Sequence, residues 1–326
     1  MINQNRSTSL TEDLPLRTNA RLAILYLAVS LYQFVFLPLC LLPLSLTWAW
    51  TLLPLIFLNN PYWSLIHEAI HNLFHPIPHI NALFGRAAGV LFGSPFRLLR
   101  LSHLLHHKLN RTPMEATDIF DPLKSSKLRA GLGYYTQIFG GLYLAEIFSP
   151  VLFFLPRRLL RSFTGRFIKR DTLTGILMQS LISDASIREI RTDALLILGW
   201  FGFALWCYES HWPLLVGVLA ARAFLISFLD NVYHYRTPVN DTLYASNLWL
   251  PERCAKLLLN FNFHGVHHDN PAVPWKHLPS VFCERAEIYH GNYFAAAARQ
   301  LDGPVALEEL AVQGSNVQRF NVEMGH

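Results

Sequence analysis

The most informative segment of this chain is His264-Gly-Val-His267-His268, because it places three imidazoles at positions i, i+3 and i+4 on one face of a helix. The same spacing occurs earlier in His103-Leu-Leu-His106-His107. The segment His67-Glu-Ala-Ile-His71 sets two histidines one helical turn apart, and Asp230-Asn-Val-Tyr-His234 repeats that separation with a carboxylate and a histidine. Each group follows or ends an apolar segment. The chain therefore carries histidines at metal-ligand spacing.

The size of this set indicates more than one metal ion. Of the 15 histidines in the chain, nine belong to these four segments. A single histidine is more often a core or surface residue than a ligand, so no one of them is decisive. Nine spaced histidines exceed what one four-coordinate zinc can use, and imidazole is the commonest metal ligand. The spacing predicts at least two metal ions.

The composition is that of a membrane protein. The 326 residues are 52% hydrophobic and only 15% charged, well below the charged fraction of soluble domains, which is about a quarter. The net charge of +5 does not indicate nucleic-acid binding, because the cations lie beside apolar segments and form no patch interleaved with aromatic residues. The four cysteines lack paired or CxxC spacing, so we expect no disulfide framework.

The apolar segments predict an all-α integral membrane fold, a four-helix transmembrane bundle of two hairpins. The predicted spans are Leu22–Leu42, Trp48–Ile66, Asp193–Tyr208 and Trp212–Leu229. The turns at 43–47 and 209–211 carry no Lys or Arg. Because cations favour the cytoplasmic side, we expect both turns outside, and both termini and the metal site in the cytoplasm.

One apolar segment, Gly131–Leu155, fits this topology only if it does not cross the bilayer. It contains Glu146, and a single crossing would put either the second histidine segment or the basic run 157–170 on the wrong side. We predict that it is re-entrant or interfacial. The predicted domains are a cytosolic N-terminal tail (1–20), transmembrane hairpin 1 (21–66), a cytosolic or interfacial helical cap with the first two histidine segments (67–192), transmembrane hairpin 2 (193–234), a cytosolic cap with the last segment (235–310) and a C-terminal tail (311–326).

Three polar residues inside the predicted spans are candidates for lining a substrate path. Arg222 lies within the fourth span. A charged side chain inside a membrane is energetically costly, so Arg222 is a candidate functional residue. Asn59 and Asn60 interrupt the second span, and broken helix at membrane depth must be packed in protein or line a cavity. The alternatives are a structural ion pair of Arg222 with Glu146 and ordinary helix packing.

A polar stretch after the second histidine segment contains Asn110, Glu115 and Asp118. Carboxylates near metal-ligating histidines often accept a hydrogen bond from the ring and so orient it. Exposure to solvent without such a role is the alternative.

The three boxes HEAIH, HLLHH and HGVHH, in this order and interleaved with two membrane hairpins, resemble those of the membrane fatty acid desaturase superfamily. The superfamily also holds related hydroxylases, ketolases and alkane oxygenases, and the resemblance covers roughly residues 20 to 290. It implies a membrane four-helix bundle with a cytosolic cap and two irons held by histidines. The ligands implied are His67, His71, His103, His106, His107, His234, His264, His267 and His268.

Several residues near the boxes are further candidates for metal binding or for orienting ligands. Some desaturases have an amide four residues before the histidine that matches His234, and here that position is Asp230. Asn260 and Asp269 flank the third box, and Glu68 lies within the first.

The resemblance implies an oxidoreductase that oxidises a fatty acyl chain with dioxygen, most simply to an alkene. Oxidative decarboxylation of a free fatty acid to a terminal 1-alkene, as in bacterial desaturase-like enzymes, and lipid hydroxylation are alternatives. No HPGG haem motif and no four-cysteine cluster spacing occurs, so we expect electrons from a separate carrier such as ferredoxin with its reductase. The basic run 157–170 is a candidate site for a carboxylate, an acyl carrier protein or that donor, with anionic lipid as the simpler alternative. The expected location is the bacterial inner membrane.

Two classes of zinc enzyme are alternatives. HEAIH also fits the HExxH of zinc proteases, in which the glutamate is the base, but this leaves seven spaced histidines unexplained. A membrane zinc hydrolase of lipids would also gather histidines at the end of a bundle, and metal content separates it from an iron oxidase. A non-catalytic metal-binding protein would consume no oxygen.

Overall fold

The computed structural model describes residues 14–170, 172–182 and 184–313, and this part of the chain is mostly helical. The parts of the predicted tails at 1–13 and 314–326 lie outside the described residues. The α-helices, labelled in chain order, are α1 Leu16–Leu31, α2 Leu52–Ile56, α3 Asn59–Ile70, α4 Pro78–Phe92, α5 Phe96–Leu109, α6 Lys127–Thr136, α7 Leu142–Leu152, α8 Arg157–Phe167, α9 Leu173–Leu181, α10 Asp184–Tyr208, α11 Trp212–Asp230, α12 Glu252–Leu257, α13 His264–Asp269, α14 Leu278–Glu284, α15 Tyr293–Arg299 and α16 Leu307–Gln313.

Shorter elements join these helices. The π-helical segments are Tyr32–Leu41 and Gln137–Gly141, and the 3-10 segments are Leu46–Thr51, Glu209–His211, Asn231–Tyr233, Trp275–His277 and Gln300–Asp302. Four strands of two residues each form two parallel pairs, β1 Ile119–Phe120 with β4 Val305–Ala306 and β2 Leu248–Trp249 with β3 Gly291–Asn292. These pairings are too short to form a sheet layer, so the helices determine the architecture.

Two helical runs are long and apolar enough to cross a bilayer, Leu16–Leu41 and Ala185–Tyr233. The first consists of α1 and the π-helix that continues it, and the second contains α10, a 3-10 turn and α11. Glu209 in that turn has a positive φ of 43°, so the backbone leaves the helical conformation between α10 and α11. Large apolar side chains on these runs are exposed, including Ile24 and Trp206. The runs indicate membrane association.

The predicted second span, Trp48–Ile66, is divided. The 3-10 segment Leu46–Thr51 and α2 form one short apolar helix, and α3 begins after a turn at 57–58. Pro54 lies in α2 and supplies no N–H to a helical hydrogen bond, and the side chain of Asn59 donates to the carbonyl of Ile56 at 2.5 Å. Polar groups at this point therefore satisfy the backbone where the helix is broken.

The predicted re-entrant or interfacial segment, Gly131–Leu155, is a broken helix. It contains most of α6, the π-helical turn and α7. Gly140, in that turn, has a φ of +125°, a conformation that side-chain-bearing residues rarely adopt, and a Cβ there would lie 3.4 Å from the Cβ of Ala223. A glycine at this position therefore permits a backbone conformation that other residues would adopt only with strain.

The chain divides into two compact units. Unit A comprises residues 14–104 and 140–226, and unit B comprises 105–139 and 227–313. In unit A the membrane runs pack through buried apolar residues such as Phe34, Leu37 and Tyr208. In unit B the described residues form three smaller clusters, one of which packs Val266 of the third box and the preceding Phe263 against α14.

Candidate metal centre

Three histidines of unit A converge. His67 and His71 lie one turn apart at the end of α3, and His103 lies on α5. Each offers one ring nitrogen within 4.8 Å of the others, and the Nε2 atoms of His71 and His103 are 3.0 Å apart. The last ten residues of α3, 61–70, are all buried. His67 and His103 are buried, whereas His71 is partly exposed, so solvent has limited access to this set.

Four histidines of unit B form a second set. His106, near the end of α5, lies 3.3 Å from His268 between Nε2 atoms, and His234 lies 3.2 Å from His264 between the same atoms. Each of the four offers a ring nitrogen within 4.8 Å of the others, and all but His106 are fully buried. Unit B thus brings together one turn of α13, the end of α5 and His234, which follows the 3-10 segment after α11.

Unit B also pairs His107 with His267. Their Nε2 atoms lie 3.1 Å apart. The ring of His107 stacks on that of His268, with centroids 4.3 Å apart and an interplanar angle of 27°. The i, i+3 spacing within the third box therefore directs His264 and His267 to different neighbours.

The four-histidine set fits a metal ion with nitrogen ligands. Imidazole binds metal in its neutral form. Burial, and then the neighbouring rings of His106 and His268, hold the pKa of His234 well below its ordinary value, so this ring is neutral. Its Nδ1 is buried without a hydrogen-bond partner among the described residues. Imidazole ligands suit iron, zinc and copper alike, so the donors do not by themselves select the metal.

Glu115 orients one of these rings. Its Oε1 accepts a hydrogen bond from Nδ1 of His106 at 2.5 Å. Burial lowers the pKa of His106, but the charge and hydrogen bond of Glu115 outweigh it, and the pKa lies above its ordinary value. A proton held on Nδ1 leaves the Nε2 lone pair directed at the other three rings, which is the arrangement found in carboxylate–histidine–metal triads.

Asn110 positions a second ring. Its side chain is buried, and Nδ2 donates to the carbonyls of Thr242 (3.1 Å) and Tyr244 (2.8 Å). The same nitrogen lies 3.4 Å from Nδ1 of His268. Asn110 therefore ties the loop 242–244 to the edge of the four-histidine set.

Asp118 contacts arginines. It pairs with the buried Arg111 at 2.6 Å and accepts a hydrogen bond from the backbone N–H of Arg236 at 2.7 Å. Arg111 also donates to the carbonyl of Thr237 at 2.6 Å, and the hydroxyl of Thr237 donates to the carbonyl of His234. The ion pair therefore holds the backbone that follows His234.

The remaining candidates near the boxes have varied surroundings. Glu68 is buried on α3. Asp230 is the last residue of α11, and its charge contributes to the raised pKa of His106. Asn260 donates to the carbonyl of Trp275 at 3.1 Å, and Asp269 forms a surface ion pair with Arg285. Of these four, Asp230 is placed with the four-histidine set.

Arg222 and Asn59 meet in unit A. The Arg222 side chain is 1% exposed; its Nε donates to Asn59 Oδ1 at 2.8 Å, and Nη1 donates to the carbonyls of Phe92 (2.8 Å) and Leu91 (3.3 Å). Those carbonyls end α4, where a cation is favourable. The Asn60 carbonyl accepts a bond from a hydroxyl within α3. These contacts give Arg222 and Asn59 a role in packing.

Sequence reasoning missed Gly265 and Asn247. A Cβ on Gly265 would lie 2.6 Å from the carbonyl oxygen of Ala245. The Oδ1 of Asn247 accepts a hydrogen bond from the N–H of Val266 at 3.1 Å. Both residues let α13 approach the preceding loop closely. The glycine inside HGVHH was the available signal.

Residues 43–296 match the family model described as fatty acid desaturase. Comparison with curated proteins and with solved structures gives no match.

Proposed function

The chain belongs to the fatty acid desaturase family, and we propose that it oxidises a fatty acyl chain with dioxygen at two irons. The proposal rests on the convergence of four histidines in unit B, three of them buried, together with three histidines in unit A. The proposed ligands are His67, His71, His103, His106, His107, His234, His264, His267 and His268.

We propose desaturation as the reaction. One acyl chain, dioxygen, two electrons and two protons give an alkene and two water molecules. The irons, when bound, supply with dioxygen the oxidising power that an unactivated C–H bond requires. A separate electron carrier of the ferredoxin type with its reductase, and an acyl substrate as free acid or thioester, complete the proposed system.

The contribution of the protein residues is to hold the ligands and to keep the site dry. Glu115 holds the proton on Nδ1 of His106, and Asn110 fixes the loop beside His268. The Arg111–Asp118 pair restrains the backbone after His234. A metal site held in this way loses little ordering entropy when the metal binds, because most of the side chains are already placed.

The proposed topology has four spans, with the metal site and both termini in the cytoplasm of a bacterial inner membrane. It is supported by the turns at 43–47 and 209–211, which carry neither Lys nor Arg. The proposed domains keep the boundaries predicted from the sequence. Accessibility of cysteines introduced at Ser45 and at Ser210 to an impermeant reagent added to intact cells tests this orientation.

The reaction is tested on purified protein whose metal content is measured. The protein is reduced anaerobically with free or thioester-linked chains of 12 to 18 carbons and then exposed to air, and the products are identified by mass spectrometry. We expect two irons per chain, oxygen uptake and an internal alkene. His267→Ala should abolish these, whereas His79→Ala, a change at an exposed histidine outside both sets, should not.

The other outcomes are informative. A volatile alkene one carbon shorter than the substrate, with carbon dioxide, would identify a decarboxylase, and an alcohol would identify a hydroxylase. Zinc in place of iron, without oxygen uptake, would contradict the oxidase proposal and favour a lipid hydrolase.

A further inference from the structure

The helix α8 in unit A has one exposed apolar row. Leu159, Phe163 and Phe167 recur every four residues, so they lie along one side of the helix. Their exposures are 56%, 37% and 68%, and the rings of Phe163 and Phe167 lie 5.0 Å apart. A contiguous row of large exposed apolar side chains indicates contact with an apolar partner, such as another protein or the hydrocarbon of a membrane.

A neighbouring row holds α8 to unit A and sets its rotation. Leu160 is fully buried in a cluster that includes Phe153 and Leu181. The Nε of Arg157 donates to the carbonyl of Ile182 at 3.1 Å. Because these contacts use one side of the helix, the row of Leu159 is left outside the core of the unit.

Exposed cations border the apolar row, cover another part of α8 and continue after the helix. Arg158, Arg161, Arg166 and Lys169 are exposed, and none of them forms an ion pair with a carboxylate among the described residues. The guanidinium of Arg166 lies 6.0 Å from the ring of Phe167. These four cations, which pair with no carboxylate in the described ranges 14–170, 172–182 and 184–313, lie beside an apolar row, a combination that suits anions and hydrocarbon together.

The helix before α8 indicates which partner this surface meets. Leu144, Phe148 and Val151 of α7 form an exposed apolar row, and the exposed Phe154 follows them. No Lys or Arg occurs between residues 130 and 156, and after Pro156 exposed cations, beginning with Arg158, accompany the exposed apolar residues. This is the order in which a chain passes from the hydrocarbon of a bilayer to its headgroups.

We propose that α8 lies in the headgroup layer and binds anionic phospholipid through Arg158, Arg161, Arg166 and Lys169, with its apolar row among the acyl chains. The occupant is a lipid because the cations border apolar side chains that continue a lipid-facing row. An acidic protein would complement the positive charge, but its carboxylates would not provide an apolar contact for Leu159 and Phe167. The proposal does not depend on the reaction proposed above.

The test is native mass spectrometry of the full-length protein from micelles with equimolar phosphatidylglycerol and phosphatidylcholine. The wild type should retain phosphatidylglycerol preferentially. Glutamine at all four positions should lower the retained ratio of the two lipids by at least about tenfold; each cation near an anionic surface contributes about fivefold, so the product of four such factors, roughly 600-fold, is the upper limit. Substitution of both phenylalanines, Phe163→Ser with Phe167→Ser, should reduce retention of both lipids while keeping the preference.

A matched control carries the same loss of charge on exposed cations elsewhere in the chain. Its substitutions are Lys127→Gln, Arg129→Gln, Arg253→Gln and Lys276→Gln, and it should keep the wild-type lipid ratio. An unchanged ratio in the α8 variant would overturn the proposal. So would a wild type without lipid preference that bound an acidic acyl carrier protein through the same four cations.

Discussion

Glu115→Gln is expected to weaken metal binding at the four-histidine set without unfolding the protein. The carboxylate accepts from Nδ1 of His106 at 2.5 Å, and the two side chains are only 14% and 20% exposed, so solvent screens the contact little. A hydrogen bond to a charged group contributes about 1.5–3 kcal/mol and a neutral one about 0.5–1.5 kcal/mol. The amide retains an acceptor but not the charge, and the difference of about 1 kcal/mol corresponds to roughly a fivefold loss of affinity.

Glu115→Ala removes the whole contact and should reduce affinity further, by about 10- to 100-fold relative to the wild type. The assay is anaerobic titration with Fe(II) in competition with a chelator, read as iron bound per chain. Glu284→Gln, a change at an exposed carboxylate, is the control and should bind iron like the wild type. The reasoning is refuted if both Glu115 variants, with unchanged circular dichroism, bind iron as tightly as the wild type.

Three further results are expected. Arg222→Ala should destabilise the protein by roughly 3 kcal/mol or more because it leaves buried hydrogen-bond acceptors unmatched, and an unchanged melting temperature in detergent would contradict this. Gly265→Ala should cost about 1–3 kcal/mol because its Cβ meets a backbone oxygen, whereas Gly133→Ala, which meets nothing within 4 Å, should not lower the melting temperature. The pKa of His234 is lower in the folded chain than in the unfolded chain, so the unfolded chain binds more protons at low pH. The melting temperature of metal-free protein should therefore fall as the pH decreases below about 6.5. In His234→Ala the melting temperature should fall less over the same pH range.

The family was predictable from the sequence. Three histidine boxes in order between apolar segments indicated the membrane fatty acid desaturases, and the match over residues 43–296 confirms this. The helical character and the membrane association were also predictable, because length and hydropathy of a segment are local properties. The division of the second predicted span into a short apolar helix at 46–56 and α3 was not predictable, since it depends on the hydrogen bonds that Asn59 makes.

The candidate site residues were predictable from the sequence, but the contacts between them were not. The spacing of His264 and His268 places both rings on one face, since a helical turn relates them. This spacing does not predict that His234, thirty residues before His264, lies 3.2 Å from it between Nε2 atoms. Nor does it distinguish Glu115, which contacts His106, from Asp118, which contacts Arg111, although both follow the second box within twelve residues.

The sequence by itself therefore determined which residues can bind metal and which helices present them, because helical periodicity is set by neighbours along the chain. The tertiary structure decided which of these residues meet, and it gave Arg222 its packing contacts with Asn59 and the end of α4. The contacts of Arg222 join residues more than a hundred positions apart, and His234 and His264 are thirty positions apart. They follow from how the apolar helices pack together, which no local pattern specifies.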